Sequence, residues 1–259
     1  AESGGGKTWS SLVLAFGLVE EYLARGLLTG GLVGKVGVID TERKSAGLYS
    51  HLGPFVTLPL GPPYSTERYG KAFRAMELAG VFVIIVDGIS PAWAGVGGLR
   101  SVLATFQQKE QFSAYDTTIN PAQDEFIDMF LRSPCHVICT MRMKTEWVLE
   151  EKANRSGHMV KSPRRIGLKP TQRDGVEYDF TTVFSIDNVS NRATLVKNRC
   201  TLFADWQPQK LSGEHGRQLA TWLLEAAPDV EPVVGGTPAE RARAVGEQAV
   251  RSCEQAKTV

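Results

Sequence analysis

No apolar run in this chain approaches the roughly 18–20 residues that a membrane-crossing helix needs, and its first residues do not read as a secretory leader. No membrane partner is therefore expected. Cysteine is scarce, at positions 135, 139, 200 and 253, and none stands in a Cys-x-x-Cys pair. Cys135 and Cys139 lie in or beside the apolar run His136-Val-Ile-Cys-Thr140. Buried free thiols in a reducing compartment are the expectation, because a zinc site needs tighter spacing and more ligands. An excess of charge is lacking too: 29 Lys and Arg stand against 28 Asp and Glu, for a net +1. Any surface for nucleic acid must therefore be local. Trp93, Trp147 and Trp206 are scattered and form no stacking platform; such residues more often anchor cores or interfaces. No internal repeat is visible.

What is present suffices for a folded domain. The 259 residues are 42% hydrophobic, enough for one well-cored domain of roughly 200–250 residues with a small appendage. Leu12, Val13, Phe16, Val19, Leu23 and Leu27 recur at helical spacing, and Gly30-Gly31 ends that region. Val36-Gly-Val-Ile-Asp40 reads as a short strand running into Thr41-Glu42. Residues 54–63 carry five prolines and glycines and read as a loop with room for one short strand over 55–58. Residues 68–79 read as a helix. Val81-Phe-Val-Ile-Ile-Val86 is continuously apolar, as suits a strand buried on both faces of a parallel sheet. Residues 91–120 are Gly-rich, then polar and helical. A helix with Pro121 at its first position follows, then the strand 136–140. Residues 178–186 and 193–197 alternate like paired strands around a turn at 187–191, and 218–226 read as a helix. Strands alternating with helices predict an α/β fold with a mostly parallel sheet, here with an antiparallel extension at one edge. Residues 1–227 form the core, 228–238 a linker, and 239–259 a helical tail.

The chemistry begins at the first residue. Ala1-Glu-Ser-Gly-Gly-Gly-Lys7-Thr8 matches a phosphate-binding loop, and a helix opens directly after it. Gly4, Gly5 and Gly6 allow successive backbone N–H groups to face phosphate oxygens, and the helix N-terminus adds partial positive charge. Lys7 is placed to reach the β- and γ-phosphates, Thr8 to take a position on Mg²⁺, and Glu2, Ser3 and Trp9 to flank the nucleotide. Such a loop ordinarily follows a buried strand, so that strand is expected upstream of Ala1. Asp87, at the carboxyl end of the apolar run, is the second metal candidate. Glu42 stands at the same sheet edge and can polarise an attacking water. Asp40, two residues earlier, shares its side of the strand. Thr140 is placed to sense the γ-phosphate, and Arg142 and Lys144 to face phosphate. Between Lys144 and Arg173 eight cations stand against three anions. This stretch, with Lys144, Lys161, Arg164 and Arg165, reads as a mobile basic loop that would contact single-stranded DNA or a neighbouring subunit.

These residues resemble the RecA-type branch of P-loop ATPases, and more closely the small phage-type nucleotide-binding ATPases carrying an AAA label. Val38-Ile-Asp-Thr-Glu42 is similar to the RecA strand that ends in the catalytic glutamate. Val83-Ile-Ile-Val-Asp87-Gly-Ile-Ser90 is similar to its Walker B strand. Val137-Ile-Cys-Thr-Met-Arg-Met-Lys144 resembles its sensor strand, although the sensor there is commonly Gln where this chain has Thr140. Gly167-Leu-Lys-Pro-Thr-Gln-Arg-Asp-Gly-Val-Glu-Tyr-Asp-Phe180 resembles a signature of the phage-type group. The resemblance implies a RecA-like core that hydrolyses ATP with Mg²⁺ at subunit interfaces of a ring or filament. It implies a role on single-stranded DNA in phage or mobile-element recombination or replication, in the cytoplasm of a bacterial or phage-infected cell. Lys7, Thr8, Glu42, Asp87 and Thr140 carry over as site positions. Arg142, Lys144 and Arg173 remain alternatives for a cation that stabilises the transferring phosphoryl group. Two other readings stand beside it: an ATP-driven loader, packaging or defence subunit acting on a protein partner, such as one of the replication or recombination machinery, and a nucleotide-binding scaffold without turnover.

Overall fold

Period-two alternation in two apolar runs builds the centre of the fold. The structure, a computed structural model, describes residues 4–153 and 159–226. The expected linker 228–238, the tail 239–259 with Cys253, and Glu2 and Ser3 lie outside the described residues. Strands β1 (Val36–Asp40) and β3 (Val83–Asp87) are buried along their whole lengths. Val36, Val38, Val83 and Ile85 point to one face, where helix α1 (Lys7–Ala24) covers them with Leu12, Ala15, Phe16 and Val19. Ile39, Ile84 and Val86 point to the other face. There they meet Tyr69, Phe73 and Met76 of α2 (Thr66–Leu78) and Phe126, Ile127 and Phe130 of α6 (Asn120–Leu131). Side chains alternating across a strand make both faces apolar only when helices cover both.

With β2 (Val56–Pro59) and β4 (His136–Cys139), these strands form one parallel sheet in the order β2-β1-β3-β4. Chain α/β organisation is therefore as expected, and the loop over 54–63 contributes an edge strand. Residues 90–114 between β3 and α6 hold three short helices, α3 (Ser90–Ala94), α4 (Leu99–Leu103) and α5 (Gln111–Ala114). Trp93, Leu99 and Ile119 close a small cluster there. Among the described residues no strand pairs with the outer edge of β4, whose residues are all half-buried.

Two expectations need correction. The basic stretch after β4 is not a loop: β5 (Met143–Ala153) and β6 (Met159–Pro170) pair antiparallel over nearly their full length. Its charges drew attention away from Met143, Trp147, Val148, Val160, Ile166 and Leu168, residue types that favour strands. A bulge at Glu146/Trp147 takes up the extra Ile166. Lys144 stands opposite Lys169, whose ammonium turns instead to Glu146 at 3.4 Å and Asp174 at 3.6 Å. Nor do the antiparallel strands extend the parallel sheet. β5–β6 and β7 (Thr182–Ile186) with β8 (Ala193–Asn198) are two separate two-stranded sheets.

Helix α7 (Gly213–Ala226) begins five residues before its expected start and lies against α1. Glycine makes that approach possible. A Cβ on Gly17 would stand 1.9 Å from the Gly213 carbonyl oxygen, and one on Gly216 would stand 2.2 Å from that of Leu14. Polar bonds flank the contact: Arg217 to Glu20 at 2.7 Å, and Arg25 Nη2 donating to Thr221 Oγ1 at 3.0 Å. Among the described residues no helix is long and apolar enough to cross a membrane.

Candidate active site

Because β1, β3 and β4 are parallel and adjacent, their carboxyl ends open onto one edge of the sheet. The register sets Asp40 beside Asp87 and Val86 beside Cys139, which brings Thr140 level with Asp87. Asp87 has no solvent exposure. Its carboxylate accepts two short bonds, from Thr8 Oγ1 to Oδ2 and from Thr140 Oγ1 to Oδ1, each 2.6 Å. Such lengths are those of hydroxyl-to-carboxylate bonds. Burial pushes the Asp87 carboxyl above its ordinary range, the nearby Glu42 and Asp40 charges add to that, and the two hydroxyls oppose it. Three segments far apart in sequence thus meet at one carboxylate.

Thr8 arrives there on the first turn of α1. Gly6, at φ 76°, is the residue from which the helix starts, and among the described residues no side chain caps it. The first turn also holds no acidic residue. The leading N–H groups of an α-helix need acceptors, and a helix start after consecutive glycines is the arrangement that accepts an anion. Gly5 is buried, and Lys7 and Trp9 are half-buried on the opening turn. The β7–β8 turn comes near this loop but leaves it room: a Cβ on Gly6 would stand 3.6 Å from the Asn191 carboxamide, an ordinary contact.

Asp40 and Glu42 part company in the structure. Asp40 Oδ1 accepts from the Glu42 N–H at 2.7 Å and Oδ2 from the Ala46 N–H at 2.9 Å, so this buried carboxylate shapes the loop after β1. That leaves Glu42 projecting beyond the strand, where its Oε1 accepts from Arg142 Nε at 3.1 Å. Arg142 is itself anchored, its N–H donating to Ser90 Oγ at 2.9 Å. Thr41, which the sequence reading passed over, ties the two strand ends together. Its N–H donates to the Asp87 carbonyl at 2.8 Å and its hydroxyl accepts from the Gly88 N–H at 2.9 Å. Tyr69 completes the tie by donating its hydroxyl to the Gly88 carbonyl at 2.9 Å, and burial holds that phenol well above its ordinary range. A small hydroxyl residue between two carboxylates was the available signal for Thr41; Tyr69, on a helix 28 residues on, carried none.

The donor set fits a hard divalent cation. Thr8 and Asp87 present oxygen atoms at a glycine-led, uncapped helix start. Among the described residues no cluster of His, Cys, Asp or Glu could hold an ion alone. Few protein ligands plus substrate phosphates is the pattern for Mg²⁺. Of the cation candidates, Arg142 is paired with Glu42, and Arg173 Nη2 is paired with Asp124 at 2.5 Å. Lys144 is exposed on β5. Lys161, Arg164 and Arg165 lie on β6, opposite Glu151, Val148 and Trp147 in the register. The thiols are structural: Cys135 and Cys200 are buried, and burial pushes Cys135 up to about 11 and raises Cys139 as well.

Comparison with protein-family models, with curated proteins and with solved structures finds no match to this chain.

Proposed function

We propose that this chain is a RecA-like ATPase that binds ATP with Mg²⁺ and hydrolyses it to ADP and phosphate while acting on single-stranded DNA. One observation carries the reading: the Thr8 and Thr140 hydroxyls both donate to the buried Asp87 carboxylate at 2.6 Å, beside an uncapped glycine-led helix start. A chance Gly-Gly-Gly-Lys-Thr would have no reason to meet an apolar strand's terminal carboxylate. The adjacency of the Glu42, Asp87 and Thr140 strands further supports the RecA-like reading.

In this mechanism the N–H groups of Gly4 to Thr8 and the Lys7 ammonium hold the phosphates. Thr8 would ligate Mg²⁺, with Asp87 contributing through water, and the ion when bound neutralises phosphate charge. Glu42 takes a proton from the attacking water as the water oxygen bonds the γ-phosphorus and the bond to the leaving ADP oxygen breaks. Arg142 must leave Glu42 for this to occur. Because Arg142 immediately precedes β5, occupancy of the basic hairpin is coupled by the backbone to that release. DNA is favoured over a protein partner by the local excess of eight cations over three anions on this segment.

The test is turnover by wild type, Lys7→Ala and Glu42→Gln, with and without single-stranded DNA. Lys7→Ala is expected to lose ATP binding. Glu42→Gln is expected to retain it and to turn over on the order of a hundredfold more slowly. Hydrolysis by Glu42→Gln at the wild-type rate would remove Glu42 from the mechanism. Absence of DNA stimulation and of salt-sensitive DNA binding would remove the DNA, and recovery of a protein partner after nuclease treatment would replace it.

A further inference from the structure

Two-stranded sheets are marginally stable alone, so what grips the base of the β5–β6 hairpin matters. Both of its feet rest on the short segment that follows Asp87. At the near foot, the Arg142 N–H donates to Ser90 Oγ at 2.9 Å. At the far foot, Gln172 Nε2 donates to the Ile89 carbonyl at 3.3 Å, and Gln172 Oε1 accepts from the Arg173 N–H at 2.9 Å. The feet also hold each other, the Thr171 N–H donating to the Arg142 carbonyl at 2.7 Å. Ser90 and Gln172 are both buried, so their bonds face little competition from bulk water.

The segment they rest on is itself fixed to the floor of the candidate site. The Ile89 N–H donates to the Thr140 carbonyl at 2.9 Å, and Gly88 is bonded on one side to Thr41 and on the other to Tyr69. Arg142 is where this arrangement meets the chemistry. Its N–H is taken by Ser90 and its carbonyl by Thr171, while its side chain reaches Glu42 Oε1 at 3.1 Å. The Arg142 side chain is 53% exposed, and ion pairs open to water hold long side chains weakly. How often the guanidinium meets Glu42 therefore depends on where the backbone beneath it is set.

We propose that Ser90 and Gln172 are positioning residues that clamp the two feet of the hairpin to the segment after Asp87, and so keep Arg142 on Glu42 until the hairpin is occupied. Neither touches the reacting atoms; both act through Arg142. The inference rests on the ATP reading for the role of Glu42, whereas the clamp itself is a property of the nucleotide-free protein. A loosened clamp lets Arg142 leave Glu42 with the hairpin empty. Its loss therefore raises the resting rate of hydrolysis and leaves the stimulated rate where it was.

The test uses Gln172→Met, which keeps the length of the side chain and removes both polar atoms, and Ser90→Ala, which removes the acceptor for Arg142. With ATP and Mg²⁺ but no DNA, each variant is expected to turn over roughly three- to tenfold faster than wild type, the scale of one lost hydrogen bond. At saturating single-stranded DNA their rates should stay within about twofold of wild type. Adding Arg142→Ala to Gln172→Met should raise resting turnover no further than Arg142→Ala alone, because both changes act at one contact. In the nucleotide-free protein, amide exchange should be several-fold faster at Thr171 in Gln172→Met and at Arg142 in Ser90→Ala. Wild-type resting turnover in both variants would overturn the proposal. So would additive effects in the double variant, or a fall in both rates that tracks a lower melting temperature, as a merely structural role requires. If the wild-type protein hydrolyses no ATP, the ATP reading fails, and unchanged exchange at Thr171 and Arg142 would then overturn the clamp separately.

Discussion

Asp87 holds a carboxylate out of water on the strength of two hydroxyls. Replacing Thr140 by Val keeps the shape and leaves one buried oxygen without its donor, a change that costs about 1–3 kcal/mol. A lower denaturant midpoint with unchanged slope is the expected reading. The sequence placed Thr140 at this strand end and expected it to sense phosphate, whereas its hydroxyl is turned to Asp87. Position was legible there because an apolar run has a readable end; direction was not, because a threonine hydroxyl can turn to any acceptor within reach. His136 illustrates a second residue-scale effect. It packs edge-on against Tyr22 and Phe82, and burial lowers it to about 4. The unfolded chain takes up this proton near 6.5 and the folded chain only near 4, so stability is lost as pH falls through that window. The loss amounts to roughly 3 kcal/mol when complete. Melting temperature measured against pH should fall there, and the fall should flatten in His136→Leu.

At the scale of elements, the parallel strands were readable because continuous apolar runs have few other destinations. The hairpin β5–β6 was not, since a dense run of Lys, Arg and Glu resembles a solvated loop and pairing is a relation between segments. The α1–α7 contact was also hidden, because glycines within helical runs carry no label for what approaches them. Gly17→Ala should therefore push the two helices apart and destabilise the protein by about 1–3 kcal/mol, the range for overpacking. Chemical denaturation would measure it, and an unchanged midpoint would mean that the helices slide freely. The strand-to-strand join at Arg142 gives another expectation. Arg142→Ala frees Glu42 without help from the hairpin, so the ratio of ATP turnover with DNA to that without should approach one.

Over the whole molecule, the candidate site is assembled from the first helix and the ends of three parallel strands. Composition could give the size and class of the domain but not this convergence, which exists only in the folded chain. A ligand that needs the convergence should stabilise the entire fold. At a hundredfold excess over its Kd, ATP with Mg²⁺ should add about 2.7 kcal/mol, visible as a rise in melting temperature that Lys7→Ala abolishes. The contact between α1 and α7 also bears on how such a protein is made. Arg217 and Glu20 are 197 residues apart, and closing a loop of that length costs on the order of 5 kcal/mol in chain entropy. At about 5–20 residues per second of synthesis, α1 leaves the ribosome roughly ten to forty seconds before α7 exists. During that interval the flank of α1 that carries Gly17 stays open to water and to other chains, so the growing polypeptide presents a chaperone with apolar surface that the finished protein hides.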